Sequence, residues 1–214
     1  MGFEHIIFDC DGVLVDTEIT AAEIMVPVLN TFGHQTTLKH YLSKYTGQTF
    51  RGIFNQFNID DRVDVEMLIK NEEEKVYQNV KPIKGIPELV KKVGRPKSVV
   101  SNSGPSQINH AVTSLGLKME FVHEFSASLV KKPKPAPDVY LHALENLNLP
   151  ADKCLVIEDS ISGCIHAKAA DLFVIGFCGG SHITETHGEN LKDLGVNELA
   201  ANADELDKLL SSLL

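Results

Sequence analysis

The sequence predicts an α/β protein with a parallel sheet and an inserted α-helical domain. Three observations predict it: short apolar runs bounded by turn residues recur along the chain, helical patterns lie between them, and residues 17–80 contain helical patterns with no strand-like run. The 214 residues suffice for one large domain or for one domain with a small insert.

The central strands are predicted from runs that are rich in β-branched residues and too short for buried helices. These runs are Ile6 to Phe8, Ser98 to Val100, Leu155 to Ile157 and Leu172 to Phe177.

Helices are predicted between these strands. They run from Pro105 to Leu115 before a Gly116 cap, from Asp138 to Leu147, and from Ile161 to Ala170 after the N-cap residue Ser160. Strands that alternate with helices imply a parallel sheet with right-handed crossovers.

The stretch without strands is predicted to be a helical bundle. Glu18 to Phe32 ends at Gly33, and Val63 to Tyr77 is amphipathic. We therefore assign residues 1–16 and 85–214 to an α/β core and residues 17–84 to an inserted helical domain.

Composition excludes some partners. A net charge of −9 argues against nucleic acid and anionic membranes, which need clustered Lys and Arg. The four cysteines show no metal-binding spacing, so we expect reduced thiols. With no leader pattern and no apolar run long enough to span a bilayer, we expect a soluble, cytoplasmic protein.

The first chemically informative segment follows the first strand. Asp9 ends that strand, and Asp11 lies two residues on, so an extended chain points both carboxylates the same way. Two such groups ~4 Å apart repel by about 4 kcal/mol at an effective dielectric of 20, which favours a divalent cation or a shared proton. An Asp-rich turn is the alternative. A calcium-binding EF-hand loop is excluded, because Val13, Leu14 and Val15 stand where oxygen ligands would continue.

Polar residues also follow the strand at Ser98 to Val100. Ser101 and Asn102 precede a helix, where a hydroxyl, an amide and backbone N–H groups form a phosphate site. The alternative is an ordinary N-cap serine.

Two adjacent acids, Glu158 and Asp159, follow the strand at Leu155 to Ile157. Their oxygens suit Mg²⁺, although acids at a helix start are also favoured by the helix dipole.

The fourth element is a loop, residues 131–138, in which prolines alternate with basic residues. Because prolines stiffen the chain, Lys134 could be aimed at a site. The alternative is a solvated basic loop. Sites in parallel sheets form beyond the carboxyl ends of the strands, so the fold would gather all four elements.

Together these motifs resemble the haloacid dehalogenase superfamily, in particular its β-phosphoglucomutase-like phosphatases, which include 6-phosphogluconate and other sugar-phosphate phosphatases. The resemblance covers nearly the whole chain and is carried by DCDGVLVDTE, VVSNS, KPAPD and VIEDSISG in that order. It implies a Rossmann-like catalytic core, residues 1–16 and 85–214, with a helical cap domain, residues 17–84, after the first motif.

The resemblance implies a role for each matching residue. Asp9 is the nucleophile that forms an aspartyl-phosphate, and Asp11 is the general acid and base. Ser101 binds phosphate with help from Asn102, and Lys134 neutralises charge.

The resemblance also implies a Mg²⁺ site. Its ligands are the Asp9 carboxylate, the Asp11 main-chain carbonyl and Asp159, with Glu158 in or beside the shell. Closure of the cap is expected to expel water.

Two departures from family patterns bear on the reaction. Dehalogenases lack the second aspartate, so Asp11 disfavours dehalogenation. β-Phosphoglucomutase carries a cap histidine where this chain has Ala21, which favours hydrolysis over phosphoryl return. Arg51 could contact a second anionic group of the substrate, or it is a surface arginine.

We therefore expect a Mg²⁺-dependent phosphatase for a small phosphorylated metabolite such as a sugar phosphate, acting as a monomer or weak homodimer. The alternatives are a phosphomutase and a non-catalytic phosphometabolite-binding protein. His166 on a core helix is interpreted as a solvated or capping residue, and His182 and His187 are noted near a glycine pair without an assigned role.

Overall fold

The described chain divides into two compact units. A computed structural model describes residues 2–46, 48–57, 59, 63–130 and 137–214. One unit consists of Met1–Val15 and Pro82–Leu214, and the other of Asp16–Lys81. The roles of catalytic core for the first unit and cap for the second stay predictions, because a division into compact units does not show what either unit does.

The first unit contains a parallel sheet, which confirms the predicted fold class. In the described residues the sheet has six strands in the order β3-β2-β1-β4-β5-β6. The strands are β1 (His5–Asp9), β2 (Lys97–Ser101), β3 (His123–Ser126), β4 (Cys154–Glu158), β5 (Phe173–Phe177) and β6 (Glu198–Ala200).

The two edge strands, β3 and β6, were not predicted. Each is shorter than the central strands, and their sequences HEFS and ELA include polar and half-exposed residues. The four predicted strands are instead buried along nearly their whole length, so they read as apolar runs.

The second unit is helical in the described residues. Its helices are α1 (Thr17–Thr31), α2 (Leu38–Tyr45), α3 (Phe50–Phe54) and α4 (Val65–Gln78). Asp16, Thr37, Thr49 and Asp64 cap their starts by accepting backbone N–H groups. The core of the unit is built from Met25, Leu29, Tyr41, Ile53 and neighbouring apolar side chains.

The first unit also contains helices that precede, connect or follow its strands. They are α5 (Ile86–Lys92), α6 (Pro105–Ser114), α7 (Asp138–Leu147), α8 (Ile161–Ala169), α9 (His187–Asp193) and α10 (Ala203–Leu213). Among the described residues no helix is both long and apolar enough to cross a membrane. The four cysteines are free thiols, and three of them are buried.

The strand order creates a switch point beside β1. The chain adds β2 and β3 on one side of β1 and then β4, β5 and β6 on the other side. Ligand sites of open parallel sheets lie outside the carboxyl ends of the strands at such a point. Asp9 and Glu158 are the last residues of the two strands that flank it.

Candidate active site at the carboxyl edge of the sheet

Asp9 and Asp11 lie where β1 turns away from the sheet. Asp9 is buried at the end of β1. Gly12 follows with φ of +87°, a conformation that side-chain-bearing residues rarely adopt. A hydrogen bond of 2.7 Å from Gly12 N to Val15 O closes the turn. The intervening Cys10 is 1% exposed and packs in the core, as expected for the opposite face.

Three buried carboxylates converge at the switch point. Asp9, Glu158 and Asp159 each offer an oxygen, and these atoms lie within 4.8 Å of one another. The residues are 5%, 1% and 3% exposed. Bare charges this close repel strongly. A donor set made only of oxygens fits a hard divalent cation, so these three residues could hold one.

Glu158 is fixed by two neighbouring side chains. Tyr140 in α7 donates its hydroxyl to Glu158 Oε2 at 2.9 Å. Ser160 donates its hydroxyl and its backbone N–H to Oε1 at 2.8 and 3.1 Å. Ser160 is also the N-cap of α8, as predicted, and its Oγ accepts a hydrogen bond from Gly163 N. Both carboxylate oxygens are therefore oriented before any ligand binds.

Asp159 is held by residues that lie far from it in the sequence. Its Oδ2 is 3.0 Å from His182 Nε2, and its main-chain oxygen is 2.6 Å from His187 Nε2. On another side, a Cβ atom on Gly12 would collide with the Asp159 carboxylate. Gly12 thus serves the turn and also leaves room for this acid.

Asp11 turns toward the hydroxyls at the end of β2. Ser101 Oγ and Ser103 Oγ donate to Asp11 Oδ2 at 2.9 and 2.7 Å. Within the described ranges Asp11 Oδ1 is buried and has no hydrogen-bond partner. Ser126 in β3 supports this arrangement by donating to Ser103 O at 2.6 Å. The structure therefore brings Asp11 and Ser101 together.

The start of α6 differs in part from the predicted phosphate site. Ser103 N donates to Ser101 Oγ, and Gly104 N donates to Gln107 Oε1. Two of the backbone N–H groups expected to be available for an anion are thus engaged. Asn102 is exposed beside them.

Arg51 lies in the helical unit, where it forms an ion pair with Glu66. The hydrogen bond that Arg51 donates to Glu66 raises the pKa of the Arg51 guanidinium. The two residues line a groove of about 420 Å³ together with Lys70 and Glu73.

Lys134 lies outside the described residues, so its predicted role stays a prediction.

Sequence reasoning missed several contacts of the site. Ser103, Tyr140 and the histidine pair carried no motif signal strong enough to assign a role. Position relative to the strands could have indicated Ser103, since it follows β2 by two residues. Tyr140 and the histidines come from other elements, so only the three-dimensional fold brings them to the acids.

Comparison with known proteins agrees with this architecture. The haloacid dehalogenase-like hydrolase family model matches residues 6–177. A 6-phosphogluconate phosphatase of Escherichia coli is 26% identical over 189 residues, covering 84% of both chains. A fructose-1-phosphate phosphatase of the same species is 27% identical over 176 residues, covering 79% of this chain and 94% of that protein.

Comparison with solved structures also supports this architecture. A haloacid dehalogenase-like protein of Agrobacterium tumefaciens is 30% identical, with a TM-score of 0.83 and 99% of both chains covered. The enzyme class predicted from the sequence agrees with the phosphatase relatives, and the predicted superfamily is confirmed by the match over most of the chain. This protein belongs to the haloacid dehalogenase-like hydrolase family.

Proposed function

We propose that the protein is a Mg²⁺-dependent phosphatase that hydrolyses a small phosphorylated metabolite, a sugar phosphate, through an aspartyl-phosphate on Asp9. The observation that carries this proposal is the convergence of three buried carboxylates at the switch point, with Asp11 and Ser101 at the ends of β1 and β2.

The first step is attack by a carboxylate oxygen of Asp9 on the phosphorus atom. The bond between phosphorus and the ester oxygen breaks, and Asp11 gives the leaving oxygen its proton. A positioned acid contributes about 10²–10⁴-fold to such a step. Ser101 holds a phosphoryl oxygen, with Asn102 as a second contact, and Lys134 neutralises charge.

The second step returns the enzyme to its starting state. Asp11, now a carboxylate, accepts a proton from water, and the resulting hydroxide attacks phosphorus. The bond between Asp9 and phosphorus breaks, and inorganic phosphate leaves. Dividing the hydrolysis into two displacements is the advantage of a covalent nucleophile.

The carboxylates suit a cation in this reaction. Asp9, Asp159 and the Asp11 main-chain carbonyl would hold Mg²⁺, with Glu158 in or beside the shell. When bound, the ion supplies positive charge that screens the nucleophile from the phosphoryl group.

The proposed substrate class is supported by the relatives. The two Escherichia coli proteins are named for 6-phosphogluconate and fructose-1-phosphate, which are both sugar phosphates. We also propose that Arg51 contacts a second anionic group of the substrate. In this contact the substrate anion would replace Glu66 as the partner of Arg51.

We further propose cytoplasmic action as a monomer or weak homodimer, without nucleic-acid or membrane partners. The four free thiols support the cytoplasmic location, and the net charge of −9 supports the absence of nucleic-acid and anionic membrane partners.

A phosphate-release screen tests the function. Sugar phosphates, phosphoglycolate, nucleotides and pyrophosphate are incubated with the enzyme and Mg²⁺, and we expect free phosphate from a sugar phosphate. Asp9→Asn should lower the rate by at least about 10³-fold, because its amide is not a nucleophile.

Asp152→Asn, at an exposed aspartate, is the matched control and should keep full activity. Circular dichroism checks that both variants are folded. Retained turnover in folded Asp9→Asn would remove Asp9 from the mechanism, and an isomeric sugar phosphate without free phosphate would indicate a mutase.

A further inference from the structure

The segment after β5 reaches back to the carboxylate cluster. It contains the sequence Gly179-Gly180-Ser181-His182 and continues into α9, which begins at His187. The His182 side chain is 12% exposed, and its Nε2 lies 3.0 Å from Asp159 Oδ2. The ring therefore meets the acid largely out of solvent.

The second histidine holds the main chain of the same residue. His187 Nε2 lies 2.6 Å from the Asp159 carbonyl oxygen. Carbonyl and carboxylate oxygens of an ionised aspartate only accept hydrogen bonds, so both rings donate from Nε2. The two ring centroids are 6.3 Å apart, and one segment thus contacts both the side chain and the backbone of Asp159.

Two glycines leave space for this arrangement. A Cβ on Gly12 would collide with the Asp159 carboxylate, and a Cβ on Gly180 would lie 2.8 Å from Nδ1 and Cε1 of His182. The acid is therefore bounded by the Gly12 backbone and the His182 ring. A side chain at Gly12 would shift the Asp159 carboxylate, and a side chain at Gly180 would shift the His182 ring.

We propose that His182 is a positioning residue that orients the Asp159 carboxylate toward the divalent cation, while His187 holds the main chain of the same residue. The inference rests on the proposed function, because it presumes the cation site at Asp9, Glu158 and Asp159. In the absence of an ion, repulsion among these acids favours rotation of the Asp159 carboxylate away from the others. A donor on Oδ2 opposes that rotation, and because the two oxygens are rigidly joined it also fixes the direction of Oδ1.

The test compares two substitutions of similar shape. His182→Gln keeps an N–H donor that can reach Asp159, whereas His182→Met fills similar space without one. Mn²⁺ is titrated into each full-length protein, free Mn²⁺ is followed by electron paramagnetic resonance, and Mg²⁺ is added as competitor. Loss of an outer-shell partner typically weakens metal binding by about 10–100-fold.

We expect His182→Met to bind Mn²⁺ about 10–100-fold more weakly than the wild type and His182→Gln to recover most of the loss. His142→Met is the control, because this exposed histidine contacts Asn146 and Phe125, away from the acids. Circular dichroism establishes that each variant is folded. Equal affinity of the wild type, His182→Gln and His182→Met would overturn this inference and leave the cation site intact, whereas a wild type that binds no Mn²⁺ would overturn the cation site itself.

Discussion

At the scale of single residues, His5 shows how the sheet constrains protonation. It is 2% exposed in β1, and its Nε2 forms a 2.9 Å hydrogen bond with Ser98 Oγ. Burial lowers the pKa of His5 to about 4, with smaller contributions from His123 and Lys97. The imidazole is therefore neutral in the folded protein at neutral pH.

The lowered pKa of His5 predicts that the protein becomes less stable in acid. The folded-state pKa lies below the ordinary 6.5, so the contribution of His5 to stability is complete above about pH 6.5 and is lost as the pH falls toward 4. Between pH 7.5 and pH 5 the wild type should lose about 2 kcal/mol more of its unfolding free energy than His5→Gln.

Urea unfolding at the two pH values measures this difference. Glutamine does not titrate and can still hydrogen-bond to Ser98, which makes His5→Gln the suitable reference. Parallel pH dependences of the two proteins would show that His5 does not have the lowered pKa.

At the scale of elements, the start of α8 is packed against the last side chain of β4. Gly163 lies in the first turn of α8 and is buried against the Glu158 carboxylate, and an added Cβ would collide with it. Glu158 cannot move without losing its bonds from Tyr140 and Ser160. The helix can approach the strand this closely only because it carries no side chain there.

Gly163→Ala should therefore destabilise the protein by about 1–3 kcal/mol, as overpacking does, and should weaken cation binding by displacing Glu158. Thermal unfolding and Mn²⁺ titration measure the two effects. Gly188→Ala in α9 is the matched control, because its Cβ would make only ordinary contacts of 3.6 Å or more. That control should be neutral or stabilising by up to about 1 kcal/mol. If both glycines tolerated alanine equally, the tight contact at Gly163 would be refuted.

At the scale of the whole molecule, the acidic site carries a cost in stability. The three acids belong to the first compact unit, and their oxygens lie within 4.8 Å of one another. At an effective dielectric of 20, each pair of charges at that separation repels by about 3 kcal/mol. A bound cation removes this repulsion and also stabilises the folded state by mass action.

Removal of the metal with EDTA should therefore abolish phosphate release and lower the melting temperature, and added Mg²⁺ should restore both. At a Mg²⁺ concentration 100 times its Kd the stabilisation is about 2.7 kcal/mol, which corresponds to roughly 5–10 °C for a chain of this size. Differential scanning calorimetry with and without EDTA measures the shift.

Asp159→Asn provides the comparison, because it removes one charge of the cluster. In EDTA it should melt at a higher temperature than the wild type, and Mg²⁺ should raise its melting temperature little. A wild-type melting temperature that does not respond to Mg²⁺ would contradict the assigned site.

The sequence predicted the centre of the fold better than its periphery. The central strands are buried on both faces, so they appear as apolar runs, whereas the polar edge strands β3 and β6 do not. His166 was interpreted as solvated or capping and is 0% exposed, because spacing along α8 alone does not reveal which face the sheet covers.

The candidate site was likewise predicted only in part from the sequence. Asp9, Asp11, Ser101 and Asp159 could be selected because each lies at or just after the carboxyl end of a strand, and these ends meet at one edge of the sheet. The partners that orient these residues could not be selected, since Tyr140 comes from a helix face and His182 from a loop. Their contacts depend on the packing of elements, which no local spacing encodes.

The hydrogen bonds from Ser101 and Ser103 to Asp11 have a consequence for the resting enzyme. If Ser101 receives the phosphoryl group, as proposed, the incoming phosphate takes the place of the Asp11 carboxyl group at the serine hydroxyls. The same exchange would free Asp11 to protonate the leaving oxygen in the proposed reaction. Under the proposed function, Asp11 would keep the serine hydroxyls oriented between turnovers and would be released when the substrate binds.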